Sequence, residues 1–133
     1  MKKLPGMKLD HGKLRYELLP PEALKHLAAV YTFGAAKYAP NNWKTIRDGV
    51  KRGVGSLMRH LEAYRAGEYL DPDSGVPHMA CIMAQASFIL WRQRKRNPAG
   101  YDFAAVAEKY AAERAEQAGR ELARSRKKPR CTR

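Results

Sequence analysis

Apolar side chains recur at the spacing of an α-helix in three successive segments of the chain. The first segment follows Pro20 and Pro21, and proline suits the first turn of a helix. Its apolar residues fall on one helical face and continue as far as Tyr38. They are Leu24, Leu27, Ala28, Tyr31, Ala35 and Tyr38. The stretch "APNNW" ends the pattern, because proline and paired asparagines favour turns.

Two further apolar stripes predict a second and a third helix. We expect the second helix from Ile46 to Arg65, with Gly67 as its C-cap. We expect the third helix to begin near Pro77 and to end at "RKRNPAG". The second stripe consists of Val50, Val54, Leu57, Leu61 and Tyr64, and the third of Met79, Ile82, Met83, Ala86, Ile89 and Leu90.

A fourth helix with a thin apolar face is predicted after Asp102, which is a candidate N-cap. Strand-like alternation and internal repeats are not visible in the sequence. We therefore predict an all-α protein whose core is a small antiparallel helical bundle. Residues 1–99 are assigned to this bundle domain, residues 100–123 to a C-terminal helix, and residues 124–133 to a basic, disordered tail.

The composition adds a strong positive charge to this picture. The 133 residues hold 26 Lys and Arg against 13 Asp and Glu, a formal net charge of +13. The last ten residues, "RSRKKPRCTR", attract polyanions without specificity, so contact of the tail with nucleic acid is expected to be non-specific. No apolar run is long enough for a membrane helix. The two cysteines, Cys81 and Cys131, form no disulfide framework, which favours the cytoplasm.

The acidic residues concentrate in one linker, "GEYLDPDSGVPH", between the second and third helices. At helical phase Glu68 continues the apolar stripe of the second helix, and His78 lies on the inward edge of the third. Clustered inward carboxylates are costly without a cation. The oxygen ligands Glu68, Asp71 and Asp73 therefore predict a site for Mg²⁺ or Mn²⁺.

Purely structural interpretations of the same residues stay open. The stretch "DPDSG" is good turn chemistry, and acids before a helix favour its dipole. His60 lies at the edge of the second apolar stripe. It is either a core histidine bonded to the backbone or a residue that supports the predicted metal site, and we favour the core histidine. Trp43 is equally suited to packing within the bundle and to stacking on a nucleotide base.

Several short motifs together resemble a known family. They are L-L-P-P at residues 18–21, G-A-x-K-Y at 34–38, N-W at 42–43, R-H-L at 59–61, and G-E-x-x-D-x-x-S-G-x-x-H at 67–78. Residues 11–92 resemble the N-terminal domain of phage dATP/dGTP diphosphohydrolases, which look like relatives of the MazG-type all-α pyrophosphohydrolases. Glu68 and Asp71 match the second metal motif of MazG-like enzymes, E-x-x-D. No inward E-x-x-E motif precedes residue 60.

The resemblance implies metal-dependent cleavage of a purine deoxynucleoside triphosphate to a monophosphate and pyrophosphate. Glu68 and His78 are then the catalytic candidates, and Mg²⁺ or Mn²⁺ is the expected cofactor. The candidate phosphate and base contacts are Lys13, Lys37, Tyr38, Asn41, Asn42, Trp43 and Arg59. The resemblance also implies a homo-oligomer, and a host cytoplasmic location if a phage encodes the chain.

Two other functions compete with hydrolysis. A phage protein of this kind could bind and sequester a nucleotide without cleaving it, and the missing first carboxylate motif favours that alternative. A nucleic-acid-binding protein is suggested by the net charge of +13 and the basic tail. The basic residues of the core do not interleave with aromatic residues as a stacking platform requires, so this alternative ranks third.

Overall fold

The computed structural model describes residues 12–126 and confirms the all-α fold. Its four α-helices are α1 (Pro21–Lys37), α2 (Gly49–Arg65), α3 (His78–Arg92) and α4 (Phe103–Arg126). Within the described part of the chain the extended pairing is limited to one isolated bridge, between Leu70 and Pro77. None of the described helices is both long and apolar enough to cross a membrane.

The helix ends lie close to where the local residue chemistry predicts them. Pro21 opens α1, and the missing N–H of a proline costs nothing in a first turn. Gly67 follows the end of α2 with φ of +97°, a backbone conformation that glycine adopts without strain. A side-chain oxygen of Asp102 accepts the backbone N–H of Ala105 at 3.0 Å and so caps α4, as predicted.

Tyr16–Ala99 forms one compact unit in which α3 packs against both α1 and α2. The packing of α2 against α3 is antiparallel. The first residue of α2, Gly49, lies against Arg92 at the end of α3, whereas His60 lies against His78 at its beginning. The bundle therefore places the start of α3 beside the last turns of α2 and the linker between them.

Small residues set the distance between α2 and α3. Ala80, Cys81 and Ala84 are the buried apolar residues of the described chain. Gly53 of α2 is also buried, and a Cβ there would lie 3.2 Å from Cγ1 of Ile89. Because Gly53 and His60 face α3, the contact stripe of α2 is rotated from the apolar stripe predicted from the sequence. Three residues of that predicted stripe stay substantially exposed: Val54, Leu61 and Tyr64.

The close approach at Gly53 predicts opposite effects for two glycines of the same helix. Gly53→Leu should lower the free energy of unfolding by about 1–3 kcal/mol, because the added side chain overpacks against Ile89. Gly55→Ala should raise it by about 0.5–1 kcal/mol, because a Cβ there meets only ordinary contacts and alanine favours the helix. Urea denaturation followed by circular dichroism measures both. Equal effects at the two positions would contradict this packing.

An aromatic cluster closes the end of the bundle opposite the linker. The ring of Trp43 stacks on Phe88 at a centroid distance of 4.6 Å and meets Trp91 and Tyr31 edge-on. The guanidinium of Arg92 donates hydrogen bonds to the carbonyl oxygens of Trp43 and Ile46, at 2.7 and 2.8 Å. These bonds satisfy loop carbonyls beside the cluster and hold the α1–α2 connection on the end of α3.

The second compact unit contains α4. This helix is exposed along most of its length and carries an i,i+4 ion pair between Glu116 and Arg120. It continues to Arg126, three residues beyond the predicted end at residue 123. The rest of the predicted basic tail, residues 127–133, lies outside the described residues.

Candidate active site

The linker between α2 and α3 folds back on itself as a tight loop. The N–H of Asp71 donates to the carbonyl oxygen of Val76 at 2.8 Å, and the N–H of His78 donates to that of Tyr69 at 3.0 Å. The N–H of Gly75 donates to the carbonyl of Asp71 at 2.8 Å, and the positive φ of Gly75 lets the turn close. These bonds fix Glu68, Asp71 and His78 against the last turns of α2.

A buried histidine lies at the centre of the site. His78 is 2% exposed, and its Nε2 lies 2.7 Å from Oε1 of Glu68, which is half-exposed. Its other ring nitrogen, Nδ1, lies 2.9 Å from Nδ1 of His60. His60 therefore forms a hydrogen bond with a second histidine and lies in the candidate site. We had expected it to bond to the backbone instead.

Asp71 is the carboxylate that the turn holds most firmly. Its Oδ2 accepts hydrogen bonds from the backbone N–H of Ser74 at 3.1 Å and from the Ser74 hydroxyl at 2.6 Å. One ligand atom from each of His60, Asp71 and His78 lies within 4.8 Å of the other two. The segment "DPDSG" therefore forms the predicted turn, and the same turn places the Asp71 carboxylate beside His60 and His78.

Burial and these hydrogen bonds shift the pKa values within the cluster. Burial lowers the pKa of His60, and the neighbouring His78 and Arg59 lower it further against an opposing effect of Asp71. Burial alone would raise the pKa of Asp71, but the Ser74 hydrogen bonds and the two histidines leave it lowered. The cluster therefore favours a neutral His60 beside an ionised Asp71 near neutral pH.

Lys37 and Asp73 form an exposed ion pair at the end of α1. The Lys37 Nζ lies 2.5 Å from Oδ2 of Asp73. The hydrogen bond that Lys37 donates to the Asp73 carboxylate raises the pKa of Lys37. The ammonium also lies 5.7 and 5.5 Å from the ring centroids of Phe33 and Tyr38. A fixed cation and an exposed tyrosine thus lie together on this surface.

The other residues predicted to contact substrate are distributed over the chain. Asn41 and Asn42 are exposed in the α1–α2 connection, where Asn41 has a left-handed φ of 63°. Trp43 packs into the aromatic cluster, and Arg59 is exposed on α2. Lys13 is exposed and belongs to the second compact unit. Their substrate contacts stay predictions.

The chain matches the family described as "dATP/dGTP diphosphohydrolase, N-terminal" over residues 3–100. The chain belongs to this family. It is also similar to a protein of Salmonella phage PMBT28 named dATP/dGTP diphosphohydrolase, with 29% identity over 94 residues. That alignment covers 70% of this chain and 31% of the relative, so the chain spans about a third of its length. No solved structure gives a significant match.

The three carboxylates predicted from the linker as metal ligands, Glu68, Asp71 and Asp73, have different partners in the structure. Glu68 bonds to His78, Asp71 lies with both histidines, and Asp73 pairs with Lys37. Mg²⁺ prefers ligands that are all oxygen, whereas Mn²⁺ and its heavier neighbours also accept imidazole. The group that comes together within residues 12–126 does not fit an all-oxygen Mg²⁺ site. The role of the three carboxylates as ligands stays a prediction.

Cys81 lies one turn after His78 and is buried. Burial, and secondarily the charge of Asp71, raise the pKa of its thiol. In a Cys131→Ser background, Cys81 should therefore react with a thiol reagent at pH 7.5 at least about ten times more slowly in the native protein than in urea, because the thiolate is the reacting form. Absorbance of the released chromophore measures the rate. Equal rates with and without urea would show that the start of α3 is open to solvent.

The sequence analysis ranked a supporting role of His60 in the site below that of a core histidine, and it missed Arg92 as a support for the α1–α2 connection. The motif R-H-L at residues 59–61 was the available signal for His60. Its helical phase alone placed it at the edge of the apolar stripe, where a core histidine and a site histidine look the same. Arg92 gave no signal, since its acceptors are backbone carbonyls distant in sequence.

Proposed function

We propose that this chain hydrolyses purine deoxynucleoside triphosphates to monophosphate and pyrophosphate with the help of a divalent metal ion. Membership of the diphosphohydrolase family supports nucleotide hydrolysis, and the name of the phage relative supports dATP and dGTP as substrates. The observation that carries the proposal is the convergence of Glu68, His78, His60 and Asp71 at one end of the bundle. A purely structural turn has no need of two facing histidines.

The proposed reaction is attack of water on the α-phosphorus. A new P–O bond forms, the bond from the α-phosphorus to the bridging oxygen breaks, and pyrophosphate leaves. The proton of the water passes to the pair formed by Glu68 and His78. Glu68 is the member of this pair that water reaches, because half of its side chain is exposed while His78 is buried. His78 then holds the carboxylate in place from Nε2.

A divalent ion is the proposed cofactor, and the mixed nitrogen and oxygen groups of the cluster favour Mn²⁺ over Mg²⁺. When bound, such an ion polarises the phosphate, neutralises its charge and lowers the pKa of a bound water. The chain itself supplies the fixed Asp71 carboxylate and the histidine pair as candidate ligands. Its excess positive charge draws a polyanionic substrate toward the surface.

Lys37 is the proposed phosphate contact, and Asp73 competes with the phosphate for it. Lys37→Ala should therefore raise the KM for dATP about tenfold with a smaller change in kcat, since one charge-assisted contact is lost. Asp73→Asn should lower KM, because it releases the ammonium for the phosphate. Steady-state kinetics measure both variants. A raised KM in Asp73→Asn would instead indicate that Asp73 contributes to binding, as a metal ligand does.

The base end of the substrate is proposed to lie on the exposed residues beside Lys37, namely Tyr38, Asn41 and Asn42. A tyrosine ring stacks on a purine, and an asparagine side chain offers both a donor and an acceptor to its edge. Tyr38 is 66% exposed, which leaves its ring accessible.

The chain is also proposed to act as a homo-oligomer in the cytoplasm. The exposed apolar residues of α2, such as Val54 and Met58, support association, which light scattering tests.

The test is chromatography of dATP, dGTP, dCTP and dTTP after incubation with the protein. Each nucleotide is incubated with Mg²⁺, with Mn²⁺ and with a chelator, and a mock preparation without the chain controls for host phosphatases. Metal-dependent conversion of the purine nucleotides to monophosphate and pyrophosphate is the expected result. Release of inorganic phosphate would contradict the proposed bond cleavage. Intact nucleotides in every sample, with tight binding by calorimetry, would favour a sequestering protein.

A further inference from the structure

The cluster of His60, His78 and Asp71 differs from the set of three linker carboxylates predicted from the sequence. Two imidazoles and one carboxylate present ligand atoms within 4.8 Å of one another, and His78 is buried at the centre. We propose that these three residues bind a transition-metal ion of the Mn²⁺, Fe²⁺, Co²⁺ and Zn²⁺ class, with Glu68 as the residue that orients His78. The inference deepens the proposed function and rests on it for the purpose of the metal.

Glu68 determines which nitrogen of His78 is free to bind a metal. An ionised carboxylate only accepts hydrogen bonds, so the contact of 2.7 Å between Glu68 Oε1 and His78 Nε2 places the proton on Nε2. A neutral His78 then presents the lone pair of Nδ1 to His60 and Asp71. A carboxylate that fixes the tautomer of a ligating histidine in this way is a recurrent partner of protein metal sites.

The distance between the two histidines matches two ligands of one ion. Their Nδ1 atoms lie 2.9 Å apart. Two nitrogens at about 2.0–2.1 Å from a metal and separated by a right angle lie about 2.9 Å apart. The separation of the two Nδ1 atoms is therefore that of adjacent ligands in a site of octahedral type, in which the ion would replace the hydrogen bond between them.

The turn that contains Asp71 fixes its carboxylate in a position from which it can bind the same ion. Both hydrogen bonds from Ser74 fall on Oδ2, so they restrain the carboxylate without using Oδ1. The ionised carboxylate and two neutral imidazoles give a net charge of −1 for a divalent cation. Mixed nitrogen and oxygen ligands favour ions from Mn²⁺ to Zn²⁺ over Mg²⁺, which is reluctant to exchange water for imidazole.

Metal binding is measured on the tag-free, chelator-treated chain of residues 1–133 in the absence of nucleotide. Calorimetry with Mn²⁺, Co²⁺, Zn²⁺ and Mg²⁺ gives the affinities, and the visible absorption of bound Co²⁺ reports ligation directly. We expect one ion per chain, with Co²⁺ and Mn²⁺ bound at least about tenfold more tightly than Mg²⁺. Equal affinity for Mg²⁺, or no binding of any transition metal, would overturn the inference.

Variants assign the ligands. His60→Ala and Asp71→Asn should each remove the Co²⁺ absorption, and Glu68→Gln should weaken Co²⁺ binding about 10–100-fold while leaving the ligands in place. His26→Ala is the matched control, because His26 lies exposed on α1, and it should bind Co²⁺ like the parent protein. Circular dichroism verifies that each variant is folded. A folded His60→Ala variant that keeps the Co²⁺ absorption, or loss of binding in His26→Ala, would overturn the assignment.

The result is separable from the proposed reaction. Transition-metal binding without nucleotide hydrolysis would leave the metal site standing and refute the hydrolase. Hydrolysis by a protein that binds only Mg²⁺, with His60→Ala still active, would refute the metal site and leave the hydrolase standing.

Discussion

Glu68→Gln should lower kcat/KM for dATP by at least about 100-fold, which is the usual contribution of a positioned proton acceptor. Glutamine keeps the size of the side chain and can still accept a hydrogen bond from Nε2 of His78. It cannot take the proton of an attacking water, and it removes the charge that fixes the His78 tautomer. Chromatographic rates at several dATP concentrations measure the effect.

The matched control for this prediction is Glu62→Gln. Glu62 lies on α2 and pairs with Arg65 on the exposed face, away from the histidines. This substitution removes the same charge from nearly the same part of the chain, and it should leave kcat/KM within about twofold, because exposed pairs contribute little. If the Glu68→Gln protein hydrolyses dATP as fast as the Glu62→Gln protein, Glu68 does not take part in the reaction.

Trp43→Ala should lower the free energy of unfolding by about 3 kcal/mol, the usual cost of deleting a packed large aromatic side chain. The ring contacts Phe88, Trp91 and Tyr31, so its loss opens a cavity at the end of the bundle. Urea denaturation followed by circular dichroism measures the change. Circular dichroism is preferred to fluorescence because Trp43 is one of only two tryptophans in the chain.

Trp43→Phe separates packing from a role in binding a base. Phenylalanine retains the contact with Phe88, so it should cost about 1 kcal/mol, as other changes of shape in a core do. If the ring serves packing alone, Trp43→Phe should leave the KM for dATP unchanged. A raised KM in a variant of near-normal stability would restore Trp43 to the substrate site. A loss below 1 kcal/mol in Trp43→Ala would contradict the packing described for the cluster.

The helices were predictable because their ends depend on neighbouring residues. Pro21 starts α1, Gly67 ends α2 and Asp102 caps α4, and each acts through local backbone geometry or a local hydrogen bond. The face of α2 that contacts α3 was not predictable from hydrophobicity. It is set by Gly53, whose missing side chain permits close approach, and a glycine contributes nothing to an apolar stripe.

The candidate site was predictable in part for the same reason. The linker motif identified Glu68, Asp71 and His78 because all three lie within twelve residues of sequence. It did not identify the pairing of His78 with His60, which depends on the rotation of α2 about its axis. The motif also did not show that Asp71 lies with the histidines while Asp73 does not. Asp73 pairs with Lys37, which is 36 positions away in the sequence.

The tight loop between α2 and α3 also has a kinetic consequence for how the site is assembled. His60, Glu68, Asp71 and His78 all fall within residues 60–78, so only a short loop must close to bring them together. The entropy lost in closing a loop rises with its length, and low contact order favours fast folding. A helical hairpin of α2 and α3 can thus form the cluster before α1 and the aromatic end of the bundle are in place.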